Sequence, residues 1–130
     1  MSELDASRLS HLVGYAASRA AITMRKVFAR HMEPLDLKIV EFSILMLVAQ
    51  NPQVNQKQLG QALDISAPNM AVTLDHAVQR DRHVGRGNVQ RAEKIAATME
   101  APSLAMLSAA ERALLIELLH KVASGKAAKR

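Results

Sequence analysis

Apolar residues recur every three or four positions along most of this chain, and polar residues fill the positions between them. Side chains at this spacing share one face of a helix, so the pattern predicts amphipathic helices that each bury one stripe. Cap and stop residues place the predicted helices at about 7–31, 36–50, 55–63, 66–80, 88–100 and 108–122. Hydrophobic residues make up 49% of the chain and aromatic residues only 2%, and the abundant Ala, Leu and Met favour helix. An all-α fold is therefore expected.

The stretch Asn55–Arg80 predicts a helix-turn-helix. Asn55 is a good N-cap for a short first helix, whose leucines lie four residues apart on one face. Asp64 ends that pattern, and Ser66 followed by Pro68 restarts a helix, since proline is tolerated in a first turn. Two helices joined in this way form either a DNA-binding motif or an ordinary packing unit of an all-α domain, and the pattern alone leaves both open.

The second helix of this motif has two chemically different faces. The predicted buried stripe consists of Met70, Leu74, Ala77 and Val78. The predicted outward face consists of Asn69, Val72, Thr73, His76 and Arg80. Because this face is largely polar and short-chained, it suits base edges and phosphates in a DNA major groove.

Three segments together resemble the MarR family of transcriptional regulators. They are EFSILMLVAQNP at Glu41–Pro52, QKQLGQALDIS with PNMAVTLD at 56–75, and LSAAERALLIELLHKV at Leu107–Val122. The resemblance covers most of the chain from Leu9 to Val122, in the family's order. It implies a winged helix-turn-helix in an obligate dimer that binds pseudo-palindromic DNA. It also implies a repressor, because members usually repress, and many leave DNA when a small aromatic or phenolic acid binds.

The resemblance and the outward face together indicate which residues would contact DNA. Asn69, Thr73 and His76 are expected to read base edges, whereas Ser66 and the nearby cations would hold phosphates and set the register. The full expected set is Lys57, Ser66, Ala67, Asn69, Thr73, His76, Arg80, Arg82 and Arg86.

The sequence departs from the family pattern in the turn and after the second helix. Asp64 stands where relatives often have glycine, although aspartate tolerates the left-handed conformation better than most residues. Ala67 stands where relatives often carry a polar or basic DNA contact. Relatives then have a two-stranded wing, but only Asp81–Val84, part of which resembles the wing's acidic-basic motif, separates Arg80 from Gly85.

Two strands and their turn need at least about ten residues, so a wing does not fit in this space. Either the protein lacks the wing, or wing residues are missing from this sequence. The first case predicts an all-α protein, and the second predicts a mainly α protein with a short β wing.

The first predicted helix carries a candidate ligand site. His11, Tyr15 and Arg19 repeat every four residues and would lie along one side of a helix. An imidazole, a phenol and a guanidinium on one groove suit an aromatic ligand that bears a carboxylate. The alternative is that these three are surface or dimer-contact residues.

A leucine-rich stripe on the last predicted helix indicates a homodimer. Ser108 and Glu111 form a capping box at its start. The resemblance implies that the N- and C-terminal helices of two subunits interlock, which would place two recognition helices about one DNA turn, roughly 34 Å, apart. The expected interface residues are Leu12, Ala16, Leu114, Leu115, Leu118, Leu119 and Val122.

The 130 residues are expected to form a single MarR-like domain over 1–130. Within it, residues 35–87 would form the helix-turn-helix core, and 5–31 with 88–123 would form the dimerisation helices. Residues 124–130 form a basic, Gly-containing tail that is expected to be flexible.

Composition narrows the possible functions. A net charge of +5 suits a polyanionic partner such as DNA, and the lack of cysteine excludes disulfides, Cys-based zinc sites and thiol sensing. The five histidines lack the spacing of a metal pair, and no phosphate loop, paired carboxylates or nucleophile constellation occurs. No enzyme activity, cofactor or metal is expected. The sequence has no signal-peptide pattern and no apolar run near the ~20 residues of a membrane helix, so a cytoplasmic protein without membrane contact is expected.

Two further functions stay open on the sequence. One is a helical dimerisation protein that has lost DNA binding and acts by pairing with an intact relative. The other is a small-molecule binding module without DNA, for which only His11, Tyr15 and Arg19 argue.

Overall fold

The computed structural model describes residues 3–84 and 88–125, without the side chains of 82–84 and 88. This part of the chain forms α1 (Val13–Met32), α2 (Ile39–Gln50), α3 (Gln56–Leu63), α4 (Ala67–Val84), α5 (Asn88–Met99) and α6 (Ala109–Ser124), with 3₁₀ turns at Glu33–Leu35 and Pro102–Leu104. These residues contain no strand, so the mainly helical fold predicted from the sequence is confirmed. None of the helices described is long and apolar enough to cross a membrane.

The first hydrophobic core joins α1, α2 and α5. Phe28 and Phe42 meet edge to face within it, with ring centroids 5.4 Å apart and an interplanar angle of 62°. Such aromatic pairs add a specific attraction to the burial of their surface. The buried members are Phe28, Met32, Leu35, Leu37 and Ala92, and Phe42, Leu45, Ile95, Ala96 and Met99 pack against them.

The second hydrophobic core joins α2, α3 and α4 and holds the helix-turn-helix together. Its buried members are Ile44, Leu59, Met70 and Ala77. Leu74 is partly buried, as the predicted stripe requires. Val78 follows the buried Ala77, so its side chain is rotated about 100° further around the helix, and it is 37% exposed. Leu45 packs against this core as well as against the first.

The first two helices begin later than the sequence predicts. α1 starts at Val13 rather than near Ser7 or Ser10, so His11 lies in the turn before the helix. Asp36 is not the N-cap of α2, because it adopts a left-handed conformation with φ of 49° at the end of the first 3₁₀ turn. α2 starts at Ile39, where Glu41 Oε1 accepts the backbone N–H of Lys38 at 2.9 Å.

Helix α4 ends later than predicted. It continues past Arg80 to Val84, and α5 begins at Asn88. The interpretation of Asp81–His83 as a wing motif is therefore wrong, because these residues form part of the last turn of α4. The segment after Arg80 contains no glycine or proline before Gly85, so nothing in it ends the helix. The wing implied by the resemblance is not found in residues 3–84 and 88–125.

The chain divides into two compact units, Met1–Met99 and Glu100–Arg130. In the second unit, the predicted capping box is confirmed. Ser108 Oγ accepts the N–H of Glu111 at 3.1 Å, and Glu111 Oε1 accepts the N–H of Ser108 at 2.9 Å. α6 then ends at Gly125, whose φ of 61° is one that glycine adopts without strain. Of the predicted flexible tail, residues 126–130 lie outside the described residues.

Candidate nucleic-acid interface

The first helix of the motif starts at a reciprocal cap. Asn55 Oδ1 accepts the N–H of Gln58 at 2.8 Å, and Gln58 Oε1 accepts the N–H of Asn55 at 3.0 Å. Asn55 is therefore the N-cap predicted from the sequence, and the pair satisfies two backbone donors that the helix leaves open.

A tight turn at Asp64 joins α3 to α4. Asp64 adopts the left-handed conformation expected of the glycine that often stands there, with φ of 54° and ψ of 51°. The carbonyl oxygen of Gly60 accepts the backbone N–H of Asp64 and, at 2.9 Å, that of Ile65. These two bonds close the end of α3 and turn the chain toward α4.

The first turns of α4 place several predicted DNA-contacting residues at the surface. Ser66, Ala67 and Asn69 are exposed, and the carbonyl of Ser66 accepts the N–H of Met70 at 2.7 Å. Thr73 is half-buried, and its hydroxyl donates to the carbonyl oxygen of Asn69 at 2.7 Å. Since the only donor of Thr73 is used within the helix, its oxygen can only accept from a base, as from the amino group of adenine or cytosine.

Further along α4, His76 and Arg80 line an open groove of about 410 Å³ together with Lys38 and Gln79. His76 is exposed, and Arg80 is half-buried. Lys38 immediately precedes α2, so the groove lies between α4 and the start of α2.

Arg80 is held by two carboxylates, one from the segment between α1 and α2 and one from the first turn of α2. Its Nε donates to Glu41 Oε2 at 3.3 Å, and its Nη1 donates to Asp36 Oδ2. The hydrogen bond and charge of Glu41 raise the pKa of the Arg80 guanidinium above its ordinary value, and the charge of Asp36 adds to the rise. The prediction that Arg80 holds a phosphate stays a prediction.

The remaining predicted cations differ in what the structure describes. Lys57 lies exposed on α3, within the motif. Arg82 lies in the last turn of α4 and its side chain is not described, while Arg86 lies outside the described residues. The described part of the motif therefore offers few free positive charges, and Lys38 adds one that the sequence prediction missed.

The candidate ligand residues are brought together only in part. Arg19 Nη1 lies 3.5 Å from the hydroxyl of Tyr15, and its guanidinium carbon lies 5.9 Å from the centroid of the Tyr15 ring. Both residues line an open groove of about 750 Å³ between α1 and the N-terminal segment, whose wall includes Leu4 and Ala16. His11 is not in that lining, because α1 begins after it and the four-residue repeat does not reach it.

Sequence reasoning missed Lys38, Gln79 and the two partners of Arg80. Lys38 and His76 are far apart in the sequence, so no local pattern pairs them. Glu41 gave one usable signal in the sequence, because it is the only charged residue of the largely apolar helix α2. In the structure Glu41 is 2% exposed. An acid at such a position needs a partner, although the sequence does not name it.

Metal chemistry has no geometric support in the described residues, since no three His, Asp or Glu side chains lie close enough together to hold an ion. The fold and the interface instead define a protein of the helix-turn-helix class.

Known structures place the chain within that class. It is similar to the transcriptional repressor CouR bound to a 23-mer DNA duplex, with 31% identity, a TM-score of 0.81, and coverage of 94% of this chain and 99% of that chain. It is also similar to CouR bound to p-coumaroyl-CoA, with 30% identity, a TM-score of 0.80, and coverage of 95% and 98%. The chain therefore belongs to the MarR family of transcriptional regulators.

The DNA complex of the MarR family protein Rv2887 of Mycobacterium tuberculosis has the same fold, with 23% identity, a TM-score of 0.70, and coverage of 87% of this chain and 98% of that chain. No protein-family model matches the sequence, and no curated protein matches it at a significant level.

Proposed function

We propose that this protein is a dimeric, sequence-specific DNA-binding repressor that inserts α4 into the major groove. The observation that carries the proposal is the helix-turn-helix closed by Asp64, which leaves Ser66, Ala67 and Asn69 exposed at the start of α4. In such motifs the N-terminal residues of the second helix contact base edges. Membership in the family and the likeness to CouR, whose structure holds a DNA duplex, support the same function.

Within this proposal, the exposed residues of α4 and of the segment before it have different roles in DNA binding. The Asn69 amide can bond in a bidentate manner to adenine, and His76 can reach a second base edge. Thr73 accepts from a base amino group, and Lys57 with Ser66 holds phosphates on either side. Ala67 is small, so it lets the start of the helix approach the groove closely, while Arg82 and Arg86 add charge near its end.

We further propose that DNA binding relies on the helix-turn-helix rather than on a wing. α4 continues to Val84, and the part of the chain described here contains no strand. Phosphate attraction then depends on the motif and on Lys38, which stands beside His76 in the groove. With few phosphate contacts, the affinity should fall less steeply with salt than for a protein with many.

The dimer is the second part of the proposal. α6 has no buried residue, and Leu114, Leu115, Leu118, Leu119 and Val122 are each at least 40% exposed. Leu12 and Ala16 are also exposed on the N-terminal side. A soluble chain rarely leaves a continuous apolar helix face in water, so a second copy is the partner that the family geometry suggests.

The effector is the third part. Tyr15 and Arg19 offer a ring, a hydroxyl and a positive charge in one groove, which suits an aromatic acid or its thioester. The p-coumaroyl-CoA in the CouR structure supports an aromatic acyl group. As a regulator of transcription, the protein would act in the cytoplasm and catalyse no reaction.

A second candidate function is a dimerisation protein without DNA binding. The continuous α4 and the few free cations of its outward face favour this candidate. It predicts no preference for any DNA sequence, which separates it from the repressor.

The deciding experiment is a fluorescence-anisotropy titration of DNA from the protein's own upstream region, at several salt concentrations, with random DNA as competitor. A repressor binds its own region in preference to random DNA, and its affinity falls as salt rises. Asn69→Ala should lower the preference, because it removes a base contact, at a loss of about 1–3 kcal/mol of discrimination. Lys57→Ala should weaken binding to all DNA and reduce the salt slope by about 0.9.

Matched controls lie on α5. Gln90→Ala and Lys94→Ala make the same kinds of change at exposed positions outside the motif, and they should leave both affinity and slope unchanged. Equal and weak binding to both DNAs would exclude the repressor and leave the dimerisation protein as the function.

A further inference from the structure

Arg80 connects three parts of the fold that are distant in sequence. Its Nε donates to Glu41 on α2, and its Nη1 donates to Asp36, which follows the 3₁₀ turn at the end of α1. Arg80 itself lies on α4. The recognition helix is therefore fixed, through one side chain, to the start of α2 and to the segment that ends α1.

The carboxylate of Glu41 serves two helices at once. Its Oε1 accepts the backbone N–H of Lys38 and so caps α2, while its Oε2 accepts from Arg80. Its side chain is only 3% exposed, so in this site its charge is compensated by Arg80 rather than by water. This makes the orientation of α4 relative to α2 costly to change.

The second partner is of a different kind. The Asp36 side chain is 81% exposed, and its backbone is in the left-handed conformation that follows the 3₁₀ turn. The N–H of Asp36 donates to the carbonyl oxygen of Glu33 at 2.9 Å, which fixes its backbone. Asp36 can therefore be changed without leaving a buried charge unpaired.

The local charge argues against Arg80 as a phosphate contact. Two carboxylates lie against one guanidinium, so the positive charge of Arg80 is already compensated before a phosphate approaches it. Two of its donor nitrogens are already used. A free phosphate-binding arginine would present its fork to solvent.

We propose that Arg80 is a positioning residue, which holds α4 in the orientation needed to read DNA sequence and does not itself bind a phosphate. This role rests on the proposed function as a sequence-specific DNA-binding protein. The ion pairs of Arg80 with Asp36 and Glu41, called the clamp below, set the orientation of α4. That orientation determines the angle at which Asn69 and His76 meet the bases. Loss of the clamp lowers the preference for the operator over random DNA more than it lowers binding to random DNA.

The test measures the ratio of affinities for own-promoter and random DNA, together with the salt slope. In Asp36→Asn, which keeps a residue tolerant of the left-handed conformation, the ratio falls about tenfold and the slope stays at the wild-type value. Glu33→Gln is the matched control, because it removes an exposed carboxylate three residues earlier that is not an ion-pair partner of Arg80, and it leaves the ratio unchanged.

Arg80→Lys gives a second, independent readout. A lysine could still attract a phosphate, but its single ammonium cannot bridge both carboxylates with a planar fork. The ratio therefore falls about tenfold in this variant as well. A thermal unfolding curve checks that each variant folds. If a single variant does not fold, the paired change Glu41→Gln with Arg80→Gln replaces it, because this pair leaves no buried charge. The paired variant shows the same fall in the ratio.

Other results overturn the role. If Asp36→Asn strengthens binding to both DNAs equally, or Arg80→Lys keeps the wild-type ratio, Arg80 does not position the helix. A decrease of about 0.9 in the salt slope for the paired Gln variant would mean that Arg80 neutralises a phosphate. In each of these cases the wild-type preference survives, so the proposed function stands, whereas a wild type without any preference overturns both.

Discussion

A Cβ atom built on Gly60 would lie 2.8 Å from the carbonyl oxygen of Ile65, which is closer than real Cβ contacts allow. The atom it meets belongs to the backbone, and the same pair is joined by the hydrogen bond from the Ile65 N–H to the Gly60 carbonyl. The glycine is therefore required by the close approach of two chain segments at the turn between α3 and α4.

Gly60→Ala should destabilise the protein, because the turn must open to accept the methyl group. We expect the free energy of unfolding to fall by about 1–3 kcal/mol, as measured by urea denaturation. Gly14→Ala is the control, since a Cβ there meets nothing within 4 Å, and it should raise the free energy of unfolding by about 0.4–1 kcal/mol. Equal effects of the two substitutions would mean that the turn is not tight.

The left-handed backbone at Asp64 gives a second prediction. Asp64→Ala should lower the free energy of unfolding by about 1–2 kcal/mol, because alanine lacks the tolerance of aspartate for this conformation. Asp64→Gly should leave it within about 0.5 kcal/mol, since relief of strain offsets the extra freedom of the unfolded chain. Asp75→Ala, on the right-handed backbone of α4, controls for the loss of an aspartate and should have little effect. A loss with glycine as large as with alanine would contradict this account.

The exposed face of α6 gives a prediction about assembly. Leu118 is 48% exposed, and Leu118→Gln should weaken the proposed dimer at least about tenfold in sedimentation experiments, because it places an amide in the apolar interface. Glu117→Gln is the adjacent control. It removes only a surface ion pair to Lys121, at 3.3 Å, and should leave the association constant nearly unchanged. A chain that stays monomeric in the wild type would rule out this interface.

The groove beside α1 gives a prediction about the effector. Arg19→Ala should weaken binding of p-coumaroyl-CoA or of p-coumaric acid by about tenfold to a hundredfold, because it removes a charge-assisted hydrogen bond. Titration calorimetry measures the affinity, and release of operator DNA by the same probes measures the response. Arg25→Ala makes the same change on the same helix outside the groove lining and should leave binding unchanged. If neither probe binds the wild type, the groove is not an aromatic-acid site.

Local chemistry made much of the helix-turn-helix predictable. Asn55 was predicted as a cap because its side chain can accept a backbone N–H of the helix. Outside the motif, the capping box of α6 was predicted because Glu111 follows Ser108 by three positions. The left-handed turn at Asp64 agrees with the resemblance, in which glycine often stands at this position, and with the tolerance of aspartate for that conformation. The end of α4 was missed because the comparison with relatives predicted a wing where this sequence contains no helix-ending residue before Gly85.

Contacts between distant segments were not predictable in this way. Arg80 was assigned to DNA because an arginine on an outward face usually faces solvent, and nothing near it in sequence indicates Asp36 or Glu41. The four-residue repeat from His11 to Arg19 likewise predicted a continuous helix. The backbone begins α1 only at Val13, after Leu12, whose side chain makes no cap hydrogen bond.

Leu45 packs against both hydrophobic cores. Helix α2 therefore contributes to the core with α1 and α5 and also to the core with α3 and α4. Loss of packing in either core would expose part of Leu45 and so remove one of the contacts of the other core. Unfolding of the helix-turn-helix is therefore coupled to unfolding of α1, the helix that carries Tyr15 and Arg19. Amide hydrogens in these five helices should exchange through one cooperative event, so the motif behaves as part of a single folding unit rather than as a detachable module.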